Sequence, residues 1–162
     1  MFRKMRRFKQ ELTQEEAIQI LNNNTAGVLA VLGDEGYPYS VPLSYVFVDN
    51  KIYFHTAKTG HKIDAIKNYD KASFCVIDQN QIMPEEYTTY FRSVIAFGKV
   101  RLVEDLDEIR RIATVLAMKY SADFAEGIPA EIDSSINHMA IIEMEIEHMT
   151  AKEAIELVKM GK

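Results

Sequence analysis

Hydrophobic positions fall in short runs and alternations parted by polar turns over most of the chain, and helical spacing is confined to a few stretches. Thr13-Gln14-Glu15-Glu16 is a capping box: the Thr13 hydroxyl can accept from a first-turn amide while Glu16 reaches back, and Ile18, Ile20 and Leu21 follow on an apolar stripe. This predicts a first helix over 14–23. The apolar run 27–32, followed by Gly33-Asp34-Glu35-Gly36 with glycines free to take positive φ, predicts a strand and the turn of a β-hairpin. The returning strand, 37–48, holds Pro38 and Pro42. Neither can donate to a ladder, so this strand is expected at an edge, a bulge or a strand start.

Asp49-Asn50 makes the next turn and 51–56 resumes a strand, after which the Ile63/Ile66 spacing predicts a helix opening near Thr59-Gly60. Residues 72–77 are apolar and β-prone; a polar loop containing Pro84 leads to a long strand over 89–103. Asp105 opens a third helix carrying Ile109, Ile112, Ala113, Leu116 and Ala117 as far as Tyr120, and 122–137, broken by Gly127 and Pro129, reads as a loop. The strand 138–149 alternates, with Ala140, Ile142, Met144 and Ile146 on one face and Glu143, Glu145 and Glu147 expected in solvent on the other. A second capping box, Thr150-Ala151-Lys152-Glu153, predicts a final helix over 150–162. Consecutive strands joined by tight turns define a mainly β fold, an antiparallel sheet or barrel with peripheral helices.

The 162 residues suffice for one domain, and 48% hydrophobic with 27% charged residues excludes a disordered or fibrous chain. A formal charge of −5 argues against a whole-surface nucleic-acid binder. The N-terminal stretch 1–12, with Arg3, Lys4, Arg6, Arg7 and Lys9 between Phe2 and Phe8, reads as a short basic arm, solvated or packed on a partner. It lacks the apolar core of a signal peptide, and no segment has the ~18 apolar residues of a membrane span, so the expectation is a cytoplasmic protein that engages no membrane. The single cysteine, Cys75, fits a reducing compartment, and its flanks Ser73-Phe74 and Val76-Ile77 read as a buried, unreactive strand.

No dinucleotide, Walker-type, zinc-protease or nucleophile-elbow motif is present, and His55, His61, His138 and His148 lack metal-ligand spacing. The most informative segment is Thr56-Ala57-Lys58-Thr59-Gly60-His61-Lys62. Hydroxyls, a glycine and cations gather where a strand meets a helix, which suits a phosphate. The same residues also suit ordinary N-capping with solvated lysines.

Gly36-Tyr37-Pro38-Tyr39-Ser40-Val41-Pro42-Leu43-Ser44-Tyr45, Ile52-Tyr53-Phe54-His55, Gly60-His61-Lys62-Ile63 and Ser73-Phe74-Cys75-Val76, in this order and spacing, resemble the pyridoxamine 5′-phosphate oxidase-like flavoproteins. Glu85-Glu86-Tyr87-Thr88-Thr89-Tyr90-Phe91-Arg92-Ser93-Val94, Phe97-Gly98 and 147–154 are similar to the nitroimidazole-resistance type within that group. The resemblance implies a split β-barrel that forms a homodimer, with FMN at the subunit interface. It places Tyr39, Ser40, Val41, Pro42 and Leu43 along the isoalloxazine and Phe54 and His55 beside the ribityl chain. His61 and Lys62 fall where the oxidases have a basic pair for the phosphate, at the same junction that Thr56, Lys58, Thr59 and Gly60 mark as a candidate cofactor site by their chemistry, and Arg92 and Ser93 reach the ring from the other subunit.

The activity so implied passes electrons from FMN, reduced by a nicotinamide cofactor or another donor, to a small aromatic or nitro-substituted acceptor. His55 is the candidate to donate a hydrogen bond or proton, or else a structural ribityl contact. Tyr87, Tyr90 and Phe91 are candidates to roof the pocket or to pack in the core or dimer contact. The vitamin-forming oxidases end in a Trp- and Arg-rich segment, and this chain has no Trp, which argues against pyridoxamine phosphate as substrate. A flavin store or sensor without turnover and a haem-binding relative of the same fold are the alternatives.

Overall fold

In the computed structural model, which describes residues 1–161, seven strands form one antiparallel sheet. The elements are α1 (Gln14–Asn23), β1 (Ala26–Leu32), β2 (Pro38–Ser44), β3 (Val46–Val48), β4 (Lys51–Ala57), α2 (His61–Asn68), β5 (Lys71–Met83), β6 (Thr88–Leu102), α3 (Leu106–Ser121), α4 (Ile128–Ser135), β7 (Met139–Glu153) and α5 (Ile155–Met160). The strand order is β2-β1-β5-β6-β7-β4-β3. Its two edge strands, β2 and β3, are separated in sequence by Tyr45 alone, so the sheet must curl until its edges nearly meet. That is a split barrel.

The interior is set by strand alternation. Tyr45, Phe54 and Phe74 are fully buried and meet edge to face, with ring centroids 4.9 and 5.1 Å apart. Ala17, Ile20 and Leu21 of α1 pack onto this core, and the capping box of Thr13 and Glu16 forms as predicted. A second apolar cluster lies outside the wall, where α3 lays Ile109, Ile112 and Leu116 over Val46, Tyr53 and Ile141. The middle of β7 is therefore covered on both faces, which is why 141–144 is buried without alternation.

Glu143 departs from its expected place in solvent: it is 2% exposed. Its β6 partner in register is Arg101, whose Nε and Nη2 donate to the carboxylate at 2.9 Å each, and Lys51 of β4 closes in diagonally at 3.2 Å. Burial alone pushes the carboxyl up, but the hydrogen bonds from Arg101 and Lys51 outweigh it and hold Glu143 below the usual carboxylate range.

Other expectations are corrected by long-range pairing. The predicted strand 37–48 is two strands, broken at Tyr45, whose amide donates to the Tyr120 hydroxyl at 2.9 Å instead of to a neighbouring strand. The strand expected over 72–77 continues to Met83, because β6 pairs with it as far as Thr88 and satisfies its polar end. The stretch 122–137 is helical: a 3₁₀ segment, Ala122–Gly127, leads into α4, where Pro129 sits in the first turn and needs no amide partner. The helix expected over 150–162 begins only at Ile155, since Thr150 to Glu153 pair with Ile95 to Arg92 and extend β7. The arm 1–12 folds back on its own chain. Gln10 is buried and donates to the Glu153 carbonyl at 2.8 Å, and the Phe2 ring stacks on His148 at 4.7 Å. Cys75 is half-buried and looks outward between Val28 and Ile95, with burial raising its thiol pKa.

Candidate functional site

The outer wall of β2, the far end of β4 and the start of α2 converge at one corner. Pro38 and Pro42 both occupy β2 and lack an amide proton. A ladder to β1 over 38–44 therefore requires odd positions to donate inward and even positions to face the open edge. Ser40, between the prolines, is left with a free edge amide. Tyr39, Val41 and Leu43 turn their side chains against the core, whereas Ser40 and Pro42 are exposed. Phe54 is fully buried against Phe74, so at this corner it offers backbone only, while its neighbour His55 faces outward.

Gly60 precedes α2 at φ +127°, a conformation that a side chain would strain, and supplies no side-chain cap. The amides of Ile63 and Asp64 turn back to the Gly60 carbonyl, but those of His61 and Lys62 meet no acceptor among the described residues. Around this open helix start lie exposed Lys58 and Thr59 and half-buried Lys62 and Thr56. The His61 ring stacks on Tyr39 at 4.1 Å, and its Nε2 accepts from the Asp34 amide at 3.2 Å, with the Asp34 carboxylate 3.7 Å away. With Nε2 used as an acceptor, the neutral ring carries its proton on Nδ1, which is the donor left for a ligand. The corner thus presents uncapped amides, two lysines and an imidazole N–H to an anion.

His55, Thr56 and Ala57 also form one wall of a cleft of about 600 Å³. The opposite wall is Ala113, Leu116, Ala117, Tyr120 and Ser121 of α3 with Glu131, Ile132 and Ser135 of α4; Ser44, His138 and Met139 complete it. Sequence reasoning missed this wall because it reads 122–137 as a loop. The signal available is the four-residue spacing of Ile128, Ile132 and Ile136. Arg92 and Ser93 stand apart from the corner within one chain, on β6, three strands from β2 in the sheet. Arg92 is held there by Glu153, to which its Nε and Nη2 donate at 3.1 and 2.9 Å. Tyr87 is almost fully exposed at the tip of the β5–β6 hairpin, and Tyr90 donates to Glu86 at 2.7 Å.

Among the described residues no group of three or more His, Cys, Asp and Glu is placed to hold a metal ion, and no helix is long and apolar enough to cross a membrane.

The chain is thus a split antiparallel barrel with an open, cation-lined corner. The family model described as pyridoxamine 5′-phosphate oxidase matches residues 13–153, and the chain belongs to that family. Solved structures share its fold. A Bacteroides thetaiotaomicron protein assigned to 5-nitroimidazole antibiotic resistance is 20% identical over 88% of this chain and 86% of its own, at a TM-score of 0.73. A FAD-binding protein of Mesorhizobium loti is 23% identical over 90% and 97%, at 0.63. A FAD- and haem-binding protein of Mycobacterium smegmatis is 17% identical over 91% and 74%, at 0.74. No curated protein matches the chain in sequence.

Proposed function

We propose that this protein is an FMN-dependent oxidoreductase that acts as a homodimer and reduces a small aromatic or nitro-substituted acceptor. The observation that carries the reading is the uncapped start of α2, flanked by Lys58 and Lys62 and lying against the edge strand β2. These donors fit the phosphate of a flavin nucleotide, and the family membership supports the same reading. In this assignment His61, Lys62 and the first amides of α2 hold the phosphate, and Thr56 and Thr59 add hydroxyl donors. The free Ser40 amide meets the polar edge of the ring, and Tyr39 to Leu43 line it. The His55 side chain, with no hydrogen-bond partner among the described residues, is free to donate to the acceptor or to supply its proton. Bound FMN supplies reversible two-electron chemistry, and the protein supplies position and water exclusion.

The dimer is supported by the outward face of β1, β5 and β6, where Val28, Ile77, Ile95 and Phe97 are 37%, 63%, 42% and 40% exposed. In this assignment Arg92 and Ser93 reach the ring from the second copy. Reduction by a nicotinamide nucleotide completes the proposed cycle.

The test is the absorption spectrum of purified protein after incubation with FMN or FAD and removal of free ligand, with its mass in solution. A retained FMN spectrum on a dimer is expected. Retention of FAD alone reassigns the cofactor, and a Soret band on haem addition without retained flavin overturns the reading.

A further inference from the structure

We propose that the cleft between β4 and the α3–α4 pair is the acceptor pocket, and that Ala113 and Ala117 set the size of ring it admits. This rests on the flavoprotein reading and gives it a substrate class: uncharged, planar, largely apolar molecules bearing an oxygen that accepts hydrogen bonds.

Three observations carry it. His55, Thr56 and Ala57 belong both to the cofactor corner and to the cleft, so whatever fills the cleft lies against the outer end of β4. Its volume, about 600 Å³, is that of a small-molecule site. Its surface is mostly carbon, from Ala113, Leu116, Ala117, Ile132 and Met139, and the room exists because α3 carries alanine one turn apart at 113 and 117, where a larger side chain would close it.

The polar groups then fix the class. His55 and His138 both reach this cleft, and neither side chain is hydrogen-bonded to another described residue. An imidazole N–H donates to a nitro or carbonyl oxygen. The one carboxylate in the lining is that of Glu131, which repels an anionic ligand and leaves a neutral one unaffected. An uncharged nitroaromatic therefore suits the cleft, and its benzoate analogue does not.

Titration calorimetry with methyl 4-nitrobenzoate, and with 4-nitrobenzoate as the anionic control, tests this on the FMN-incubated full chain. The ester is expected to bind and the anion to bind several-fold more weakly. Ala117→Phe fills the cleft, and Met118→Phe places the same ring on the exposed face of α3, outside the lining. Ala117→Phe should weaken the ester by about tenfold or more and Met118→Phe by less than about twofold, with flavin retention unchanged in both.

No ester binding by the native chain, or native affinity in a folded Ala117→Phe protein, overturns the proposal. Loss of flavin in Ala117→Phe also overturns it, because the cleft then holds the cofactor itself. If Ala117→Phe does not fold, Ala117→Leu and His138→Ala replace it under the same criteria. Cleft-dependent ester binding by a chain that retains no flavin leaves the pocket standing and removes the flavoprotein reading, so the two failures are distinguishable.

Discussion

Glu143 and His61 are both polar side chains on the outer wall of one barrel, and they differ in what answers them. Glu143 is buried and meets Arg101 from one flanking strand and Lys51 from the other, so its hydrogen-bonding capacity is spent within the protein. His61 is fixed on one side by the Tyr39 ring and the Asp34 amide, while the amides of His61 and Lys62 and the side chains of Lys58 and Lys62 have no partner among the described residues. A closed polar cluster holds strands in register; an open one, on equally rigid elements, waits for a ligand. Burial and partners separate the two, although both are polar side chains on the same wall.

The comparison breaks most visibly if the closed cluster is opened. Arg101→Ala with Lys51→Met leaves Glu143 buried without a cation and should cost about 3–5 kcal/mol in urea unfolding. Its pH dependence should also reverse. In the native chain the lowered pKa of Glu143 gives stability that is full above the unfolded carboxylate value, about 4.3, and is lost as pH falls through the folded one. Without the cations burial raises that pKa, so the variant should lose stability as pH rises; unfolding midpoints from about pH 3 to 7 read the sign directly.

Emptying the open cluster should do the converse. His61→Ala with Lys62→Ala should weaken FMN binding by about 1.5–3 kcal/mol for each charge-assisted bond removed, measured by flavin fluorescence. Its effect on stability should stay near 1 kcal/mol, chiefly from the lost stacking on Tyr39. Unchanged FMN affinity would move the phosphate site elsewhere. A smaller loss, about 1–2 kcal/mol of stability, is expected for Tyr45→Phe, because the buried Tyr45 hydroxyl donates to the Leu21 carbonyl at 2.6 Å. Smallest is Thr13→Ala, which removes the cap of α1 at about 1 kcal/mol, read as a shift in thermal midpoint.

What the sequence reveals and what it hides divide along the same line between local and distant partners. The motif at Thr13 and that at Thr150 have the same spacing, yet one caps a helix and the other lies in a strand. Residues 150–153 are claimed by pairing with β6, whereas 13–16 face no competing strand. The alternation of β7 places Ile142 and Met144 inside correctly, but the burial of Glu143 depends on Arg101 and Lys51, 42 and 92 residues away in the chain. Pro129 marks a break only when its position in the helix is unknown; in the first turn of α4 it is compatible. Of the corner, the junction at Gly60 is legible because the chemistry is contiguous. The cleft wall is not, because α3 and α4 must first be folded over β4.

The place of β7 in the sheet has a consequence for the order of assembly. It alone joins the group β2-β1-β5-β6 to the pair β4-β3, and it is the last strand in sequence among the described residues. During synthesis the earlier strands can form hairpins, but the barrel wall cannot close until residues 139–153 have emerged. Closure then depends on contacts of high sequence separation, so it is the expected slow step of folding, during which the edges of β4 and β6 stay unpaired.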